Sequence, residues 1–274
     1  VALSGDGGDE LFCGYNRYIS TNKWSKIFNS IPISLRKILS HLLKSISQNN
    51  WNNLSKILPG LNENANLGHK IYKGANALEA NTLSDLYYIL SSQWQNPTAT
   101  VIGSKEKETF LTKFKPELSS LNNHQKMMVI DLINYLPNDI LVKVDRASMA
   151  SSLESRMPFL DHELIEYVWK IPHSLKYKNG QGKWILRELL SKYVPKALVD
   201  RPKIGFGVPL HNWLRGPLLD WSQYLLDPTK LRNEGYFNVE EVQQKWNEHL
   251  SGKRDWQHHL WDILMFQAWL DENK

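Results

Sequence analysis

The sequence predicts a mostly helical chain with at most one or two short strands. Three observations carry that prediction. Apolar residues recur at three- and four-residue spacing along much of the length, as in Leu35, Ile38, Leu39, Leu42, Leu43 and Ile46. Pro97, Pro137, Pro172 and Pro195 fall just beyond such stretches, where a residue without an N–H stops a helix. Only Val1-Ala2-Leu3 reads as the end of a buried strand, and it runs directly into the turn Ser4-Gly5-Asp6-Gly7-Gly8-Asp9-Glu10.

A chain of 274 residues suffices for one large domain or two small ones. Its 42% hydrophobic content and 11 tryptophans can fill a sizeable core. No apolar run approaches the roughly 18 residues of a membrane span, and no secretory signal is visible. One cysteine excludes an internal disulfide framework and fits a reducing, cytoplasmic compartment. The net charge of +5 is dispersed and carries no nucleic-acid-binding motif, so neither a membrane nor a nucleic acid is expected as a partner.

Taken in order, Leu11, Phe12, Gly14, Tyr15 and Tyr18 suit the first turns of a helix after the turn. Residues 35–46 form an amphipathic helix with Arg36, Lys37, His41 and Lys44 between its leucines. Its apolar face is expected to pack on the domain, with membrane-surface binding as the alternative. Residues 47–70, with Pro59-Gly60, read as irregular connections. A weakly patterned helix over 76–95 carries Leu83, Leu86, Tyr87, Leu90 and Trp94, and a polar excursion over 103–124 follows. Residues 125–136 form an apolar helix ended by Pro137, with Asn138 or Asp139 capping the next. Asp161 caps a helix over 163–171, and Lys183, Trp184, Ile185, Leu186, Leu189, Leu190 and Tyr193 mark another. Near the C-terminus Asn238 and Glu241 suggest a capping box before Val242, Trp246 and Leu250. Trp256, Leu260, Leu264 and Trp269 line the last helix. His249, His258 and His259 invite a zinc reading. Adjacent helical residues point about 100° apart, however, and no cysteine or acidic cluster completes that site.

Chemistry concentrates in three blocks. In the first, a glycine-rich turn between strand and helix lets backbone N–H groups approach an anion. Asp6, Asp9 and Glu10 would repel a phosphate unless a cation lies between, which suggests a magnesium–nucleotide site with Asp9 as metal ligand. The glycine spacing fits neither a P-loop nor a dinucleotide fingerprint, and an ordinary turn is the plain alternative. The second block runs from Leu141 to Ala150 and on from Glu154 to Asp161. Lys143, Asp145, Arg146, Glu154, Arg156 and Asp161 stand there among small and apolar residues, so some are expected to be half-buried and paired. An ion-pair network with a helix cap is the alternative for Glu154, Arg156 and Asp161. The third block, Asp200-Arg201-Pro202-Lys203-Ile204-Gly205-Phe206-Gly207-Val208-Pro209, is a shaped loop with positive charge suited to a phosphate.

The stretch from Ser4 to Tyr18 resembles the second nucleotide motif of glutamine-hydrolysing asparagine synthetases, and the other two blocks resemble that family in the same order. The match is patchy over 19–123 and near-continuous over 135–214. The resemblance implies that residues 1–274 are the C-terminal portion of an α/β adenine-nucleotide domain of the PP-loop pyrophosphatase-like kind, with its parallel sheet largely missing. The first pyrophosphate loop and an N-terminal glutaminase are then expected on a longer polypeptide, and this piece alone is expected to be inactive. ATP and Mg²⁺ are the implied cofactors. Aspartate and glutamine-derived ammonia are the implied substrates, and the full-length enzyme a candidate homodimer. In this scheme Ser4, Gly5, Gly7 and Gly8 hold the nucleotide and Asp9 a metal ion. Asp6 supports formation of the aspartyl-adenylate, Arg146 and Lys203 stabilise leaving pyrophosphate and developing charge, and Asp145 and Glu154 contact substrate. Cys13, where the family often has glycine, reads as a small buried side chain rather than a glutaminase nucleophile. The alternatives are a related acyl-adenylating enzyme, such as one forming a β-lactam, and a helical interaction module that no longer catalyses.

Overall fold

The computed structural model describes residues 1–28, 30–57, 67–106, 108, 118–199 and 207–273. Helices dominate, as the periodicity predicts. Among the described residues the strands are four two-residue pieces in two small sheets, against the one or two short strands at most expected from sequence. Pieces that short carry no alternation for a sequence reading to detect. No helix among the described residues is long and apolar enough to cross a membrane. The chain divides into two compact units, Val1–Ile27 with Glu108–Ile204, and Phe28–Lys107 with Gly205–Lys274.

In the first unit, strand Ala2–Leu3 pairs in parallel with Ser155–Arg156, Ala2 opposite Ser155 and Leu3 opposite Arg156. Leu3 is 77% exposed, which corrects the expectation of a buried strand: one neighbouring strand covers an edge, not a face. Helices Gly8–Leu11 and His162–Lys170 bring Leu11, Phe12 and Val168 into one core with Phe159, Leu164, Ile185 and Leu186. Asp161 caps the second of these as expected, its Oδ1 accepting from the Leu164 N–H at 3.1 Å. Helix Asn123–Ile130 opens with a capping box between Asn122 and Gln125. Pro137 does not end the helical path. The chain widens into a π-helix over Asp131–Ile140 with Pro137 inside it, and continues as the α-helix Leu141–Met149. A proline ring crowds the carbonyl four residues back in an α-helix, and the wider π turn relieves that crowding. The Leu141 N–H accordingly reaches back five residues to the Leu136 carbonyl. Neither Asn138 nor Asp139 is needed as a cap.

The second unit packs around the helix Gln257–Glu272, whose Leu260, Ile263 and Leu264 meet Leu214, Leu225, Leu231, Val242 and Trp246. Each such buried side chain contributes roughly 1.5–3 kcal/mol. Asn238 caps Val239–Leu250, and Asp227 caps Pro228–Glu234, which stops at Gly235 with φ 75°. Trp269 stays exposed, so the predicted aromatic stripe is buried only in part. Two sequence expectations fail here. Residues 47–70 contain the helix Gln48–Ile57, and 76–95 is not one helix but the end of Leu67–Leu78 followed by Leu83–Ser91. The break falls where Thr82 and Asp85 form a capping box.

Helix Ile33–Ser45 is turned the opposite way from its pattern. Leu35, Ile38, Leu39 and Leu42 are exposed, while Arg36 and Ser40 are buried. The Arg36 guanidinium donates to the carbonyls of Ile31 at 3.1 Å, Leu78 at 3.0 Å and Ala80 at 2.6 Å. Those last two carbonyls lie where helix Leu67–Leu78 ends without another turn to satisfy them. Ser40 Oγ donates to Glu79 at 2.7 Å. Satisfying buried backbone acceptors has decided the orientation of this helix.

Candidate functional site

The glycine-rich turn is held from both ends. The Ser4 N–H donates to the Arg156 carbonyl and the Ala2 N–H to the Glu154 carbonyl, each at 2.8 Å. The turn then closes with the Gly8 N–H on the Gly5 carbonyl at 3.2 Å. Gly7 has φ 88°, a left-handed conformation that glycine adopts without a Cβ penalty. A Cβ on Gly7 would strike Leu160, and one on Gly8 would press on Phe159 at 3.3 Å. These two glycines let the turn lie against the second block. Gly5 differs: nothing stands within 4 Å of where its Cβ would be. Among the described residues no backbone carbonyl takes the N–H of Gly5, Asp6 or Gly7. Ser4 Oγ donates to Asp6 Oδ2 at 2.5 Å.

The three carboxylates have distinct surroundings. Asp6 is half-exposed. Glu10 is 1% exposed, and burial raises its pKa against the opposing hydrogen bond from the Tyr15 hydroxyl at 2.7 Å. Asp9 Oδ1 faces Lys183 Nζ at 3.0 Å. This lysine escaped the sequence reading as a site residue. It follows a hairpin in which Tyr177–Lys178 pairs with Gln181–Gly182 around Asn179-Gly180, both at positive φ. That Asn-Gly dipeptide is the signal that could have found it. Gly182 sits so close to the Cys13 carbonyl that a Cβ there would collide, and the Lys183 N–H donates to the Phe12 carbonyl at 2.8 Å. The hairpin thereby delivers Lys183 to the motif. Gly14 completes the fit, since a Cβ on it would strike both Asp9 Oδ1 and Lys183 Cε.

Behind the motif, Arg17 is clamped between the rings of Tyr15 and Tyr135 at 4.1 and 4.4 Å. Arg17 and Tyr18 both donate to the buried Asp131. The second block meets the motif through the Glu154–Arg156 backbone, but its charges are not half-buried. Lys143, Asp145, Arg146, Glu154, Arg156 and Asp161 are all exposed, which corrects that expectation. Glu154 pairs with Arg156 at 2.7 Å and Lys143 with Asp139 at 2.6 Å. Asp145 and Arg146 lie on helix Leu141–Met149 and form no ion pair among the described residues. Their exposure follows from that helix having no buried residue. Asp200, Arg201 and Lys203 lie outside the described residues. Two of the three blocks are therefore side by side in space, joined by a parallel strand pair.

Comparison with known proteins gives the same stretch a wider frame. The family model described as asparagine synthase matches residues 1–271. Across 98% of its length the chain is 31% identical to asparagine synthetase (glutamine-hydrolyzing) 1 of Bacillus subtilis (strain 168), covering 40% of that protein. It is 30% identical, again across 98% of its length, to a putative asparagine synthetase (glutamine-hydrolyzing) of Mycobacterium tuberculosis (strain ATCC 25618 / H37Rv), covering 39% of it. The human asparagine synthetase (glutamine-hydrolyzing) is 29% identical over 44% of the chain, with 24% of the human protein covered. The chain spans about two fifths of the length of the curated relatives it matches throughout. No solved structure matches. The family match takes in the motif, the strand it pairs with and nearly every residue between and beyond, and so the chain belongs to the asparagine synthase family.

Proposed function

We propose that this chain forms part of the synthetase machinery of an ATP-dependent ligase that converts aspartate to asparagine, with ammonia derived from glutamine. The observation that carries the reading is the pairing of Ala2–Leu3 with Ser155–Arg156, which sets the carboxylate-rich turn against the second block. We read the helices as the C-terminal part of a PP-loop-like nucleotide domain. The chemistry needs an aspartate carboxylate oxygen to attack the α-phosphorus of ATP, expelling pyrophosphate. Ammonia then attacks the acyl carbon and AMP leaves with the bonding electrons.

The turn fits a nucleotide in two respects: Gly5 faces open space, and three N–H groups lack a backbone acceptor among the described residues. Ser4 and Gly5 would hold the nucleotide, while Gly7 and Gly8 serve by letting the turn pack closely on Leu160 and Phe159. The oxygen donors of Asp6 and Asp9 suit magnesium, and Asp9 would offer its Oδ2 while Oδ1 stays with Lys183. A bound magnesium ion would neutralise triphosphate charge. Asp6, oriented by Ser4, supports formation of the aspartyl-adenylate. Arg146 and Lys203 supply positive charge to the departing pyrophosphate, and Asp145 and Glu154 contact the aspartate substrate.

The test is aspartate-dependent pyrophosphate release with ammonia as nitrogen donor, in the protein as expressed from its own gene. Release should require aspartate, and Asp6→Asn should slow it by about 10²–10³-fold, the usual cost of losing one electrostatic contact in the transition state. A protein that releases no pyrophosphate with aspartate, or an Asp6→Asn variant within about threefold of it, overturns the reading.

A further inference from the structure

Cys13, His124 and His173 meet inside the first unit, outside every role assigned above. They come from three places: the loop after Gly8–Leu11, the first turn of Asn123–Ile130, and the first residue of His173–Lys176. Each offers one ligand atom, and these atoms all lie within 4.8 Å of one another. Cys13 and His124 are buried and His173 is half-buried. His124 Nδ1 and His173 Nε2 are 3.1 Å apart, with ring centres at 5.2 Å. Two imidazoles on one tetrahedral zinc, each nitrogen ~2.0–2.1 Å from the ion, have nitrogens about 3.4 Å apart and ring centres about 5.2 Å apart. The ring centres match that spacing, and the nitrogens, now at hydrogen-bond separation, need part only by a few tenths of an ångström. A thiolate on the same ion stands about 3.6 Å from each nitrogen, and the three ligand atoms here gather within 4.8 Å of one another.

A second observation is independent of that spacing. Lys176, on the same short helix as His173, has its Nζ fully enclosed with no hydrogen-bond acceptor among the described residues, over the Trp169 ring at 4.8 Å. Cys13 itself sits at φ 57°, a conformation that non-glycine residues adopt at a cost of order 1 kcal/mol or more. A thiol and two imidazoles, gathered beside a strained backbone, form a donor set without a carboxylate. Such a set suits a thiophilic d-block cation and not magnesium or calcium.

We propose that Cys13 Sγ, His124 Nδ1 and His173 Nε2 bind a zinc ion that ties the loop following the glycine-rich turn to the helices behind it. On binding, the Cys13 thiol releases its proton to solvent and its sulfur lone pair forms the zinc bond, while both imidazoles bind neutral. Three protein ligands leave a fourth position on a tetrahedral ion for water.

The probe is cobalt(II), which reports thiolate ligation directly. The full chain, stripped with a chelator, is titrated with cobalt and then with zinc. Expected are a thiolate-to-cobalt charge-transfer band and tetrahedral ligand-field bands that saturate with a single ion and are displaced by zinc. Cys13→Ser should abolish the charge-transfer band. His124→Gln and His173→Gln should each weaken zinc binding by more than the roughly 10–100-fold typical of losing an outer-shell partner. Absence of the band in the wild-type chain at excess cobalt overturns the proposal and leaves the histidines as a hydrogen-bonded pair. Persistence of the band in Cys13→Ser, or unchanged zinc affinity in both histidine variants, also overturns it. The wild-type titration is read before any substitution, so a variant that fails to fold does not protect the idea.

Discussion

Replacing Arg17 with methionine tests whether the ion pair behind the motif holds the first unit together. Arg17 donates to Asp131 Oδ2 from Nε at 3.2 Å and Nη2 at 2.6 Å, and Tyr18 donates to the same oxygen at 2.6 Å. Asp131 is only 2% exposed. Methionine keeps the apolar stem between Tyr15 and Tyr135, so what is lost is the charge and its hydrogen bonds. Removing one partner of a buried ion pair costs about 3–5 kcal/mol, and the stacked cation adds about 1 kcal/mol. The Arg17 side chain keeps 25% of its exposure and Tyr18 still donates, which places the expected loss near the lower limit, about 3 kcal/mol. Urea denaturation followed by circular dichroism measures the loss, and hydrogen exchange along helix Asn16–Phe28 locates it. Adding Asp131→Asn to Arg17→Met removes the stranded charge, so the double variant should be more stable than the sum of the single losses by at least about 1 kcal/mol. A loss below about 0.5 kcal/mol for Arg17→Met, or strict additivity of the two changes, would refute the reasoning.

Gly182→Ala should destabilise the first unit by about 1–3 kcal/mol, because the added methyl meets the backbone of Cys13 and Gly14 and not a side chain that can swing away; a midpoint in urea equal to that of the parent would show that the hairpin can shift. His259, enclosed by Trp94 and Trp256 at 4.6 and 4.8 Å between ring centres, has its pKa lowered to about 4, by burial first and then by Arg254 and Lys245. The unfolded chain protonates this group near pH 6.5 and the folded chain only near 4, so its contribution is fully present above about pH 6.5 and is lost as pH falls toward 4. That displacement corresponds to about 3 kcal/mol at most. Denaturation measured at pH 7 and near pH 4.5 should show a shallower pH dependence in His259→Gln than in the parent, and equal slopes would contradict it.

The parts of this molecule that were readable in sequence are those whose cause is local. Asp161 and Asn238 follow from which side chain can satisfy a helix end, and the cap partners lie three residues away. The glycine-rich turn was readable for a similar reason, since its residue types announce both the conformation and the chemistry. What could not be read is partnership across the chain. Lys183 is separated from Asp9 by most of the first unit's sequence, and only the Asn179-Gly180 hairpin and the missing Cβ of Gly182 deliver it there.

Helix Ile33–Ser45 shows that the limit is physical and not a matter of pattern strength. Its leucines repeat at the helical period, which fixes that they share a face but not that the face is covered. Exposing Leu35, Ile38, Leu39 and Leu42 forgoes burial worth roughly 1.5–3 kcal/mol each. Turning them inward would rotate Arg36 and Ser40 out, leaving the carbonyls of Leu78 and Ala80 enclosed without a donor and Glu79 without its hydroxyl. Each abandoned buried carbonyl costs about 1–3 kcal/mol, which offsets part of the burial the leucines forgo. The choice then falls to the other elements: helix Leu67–Leu78 ends at a fixed place, and its unsatisfied carbonyls require a guanidinium there. A hydrophobic period is read from a single helix, whereas the demand that overrode it belongs to the end of another.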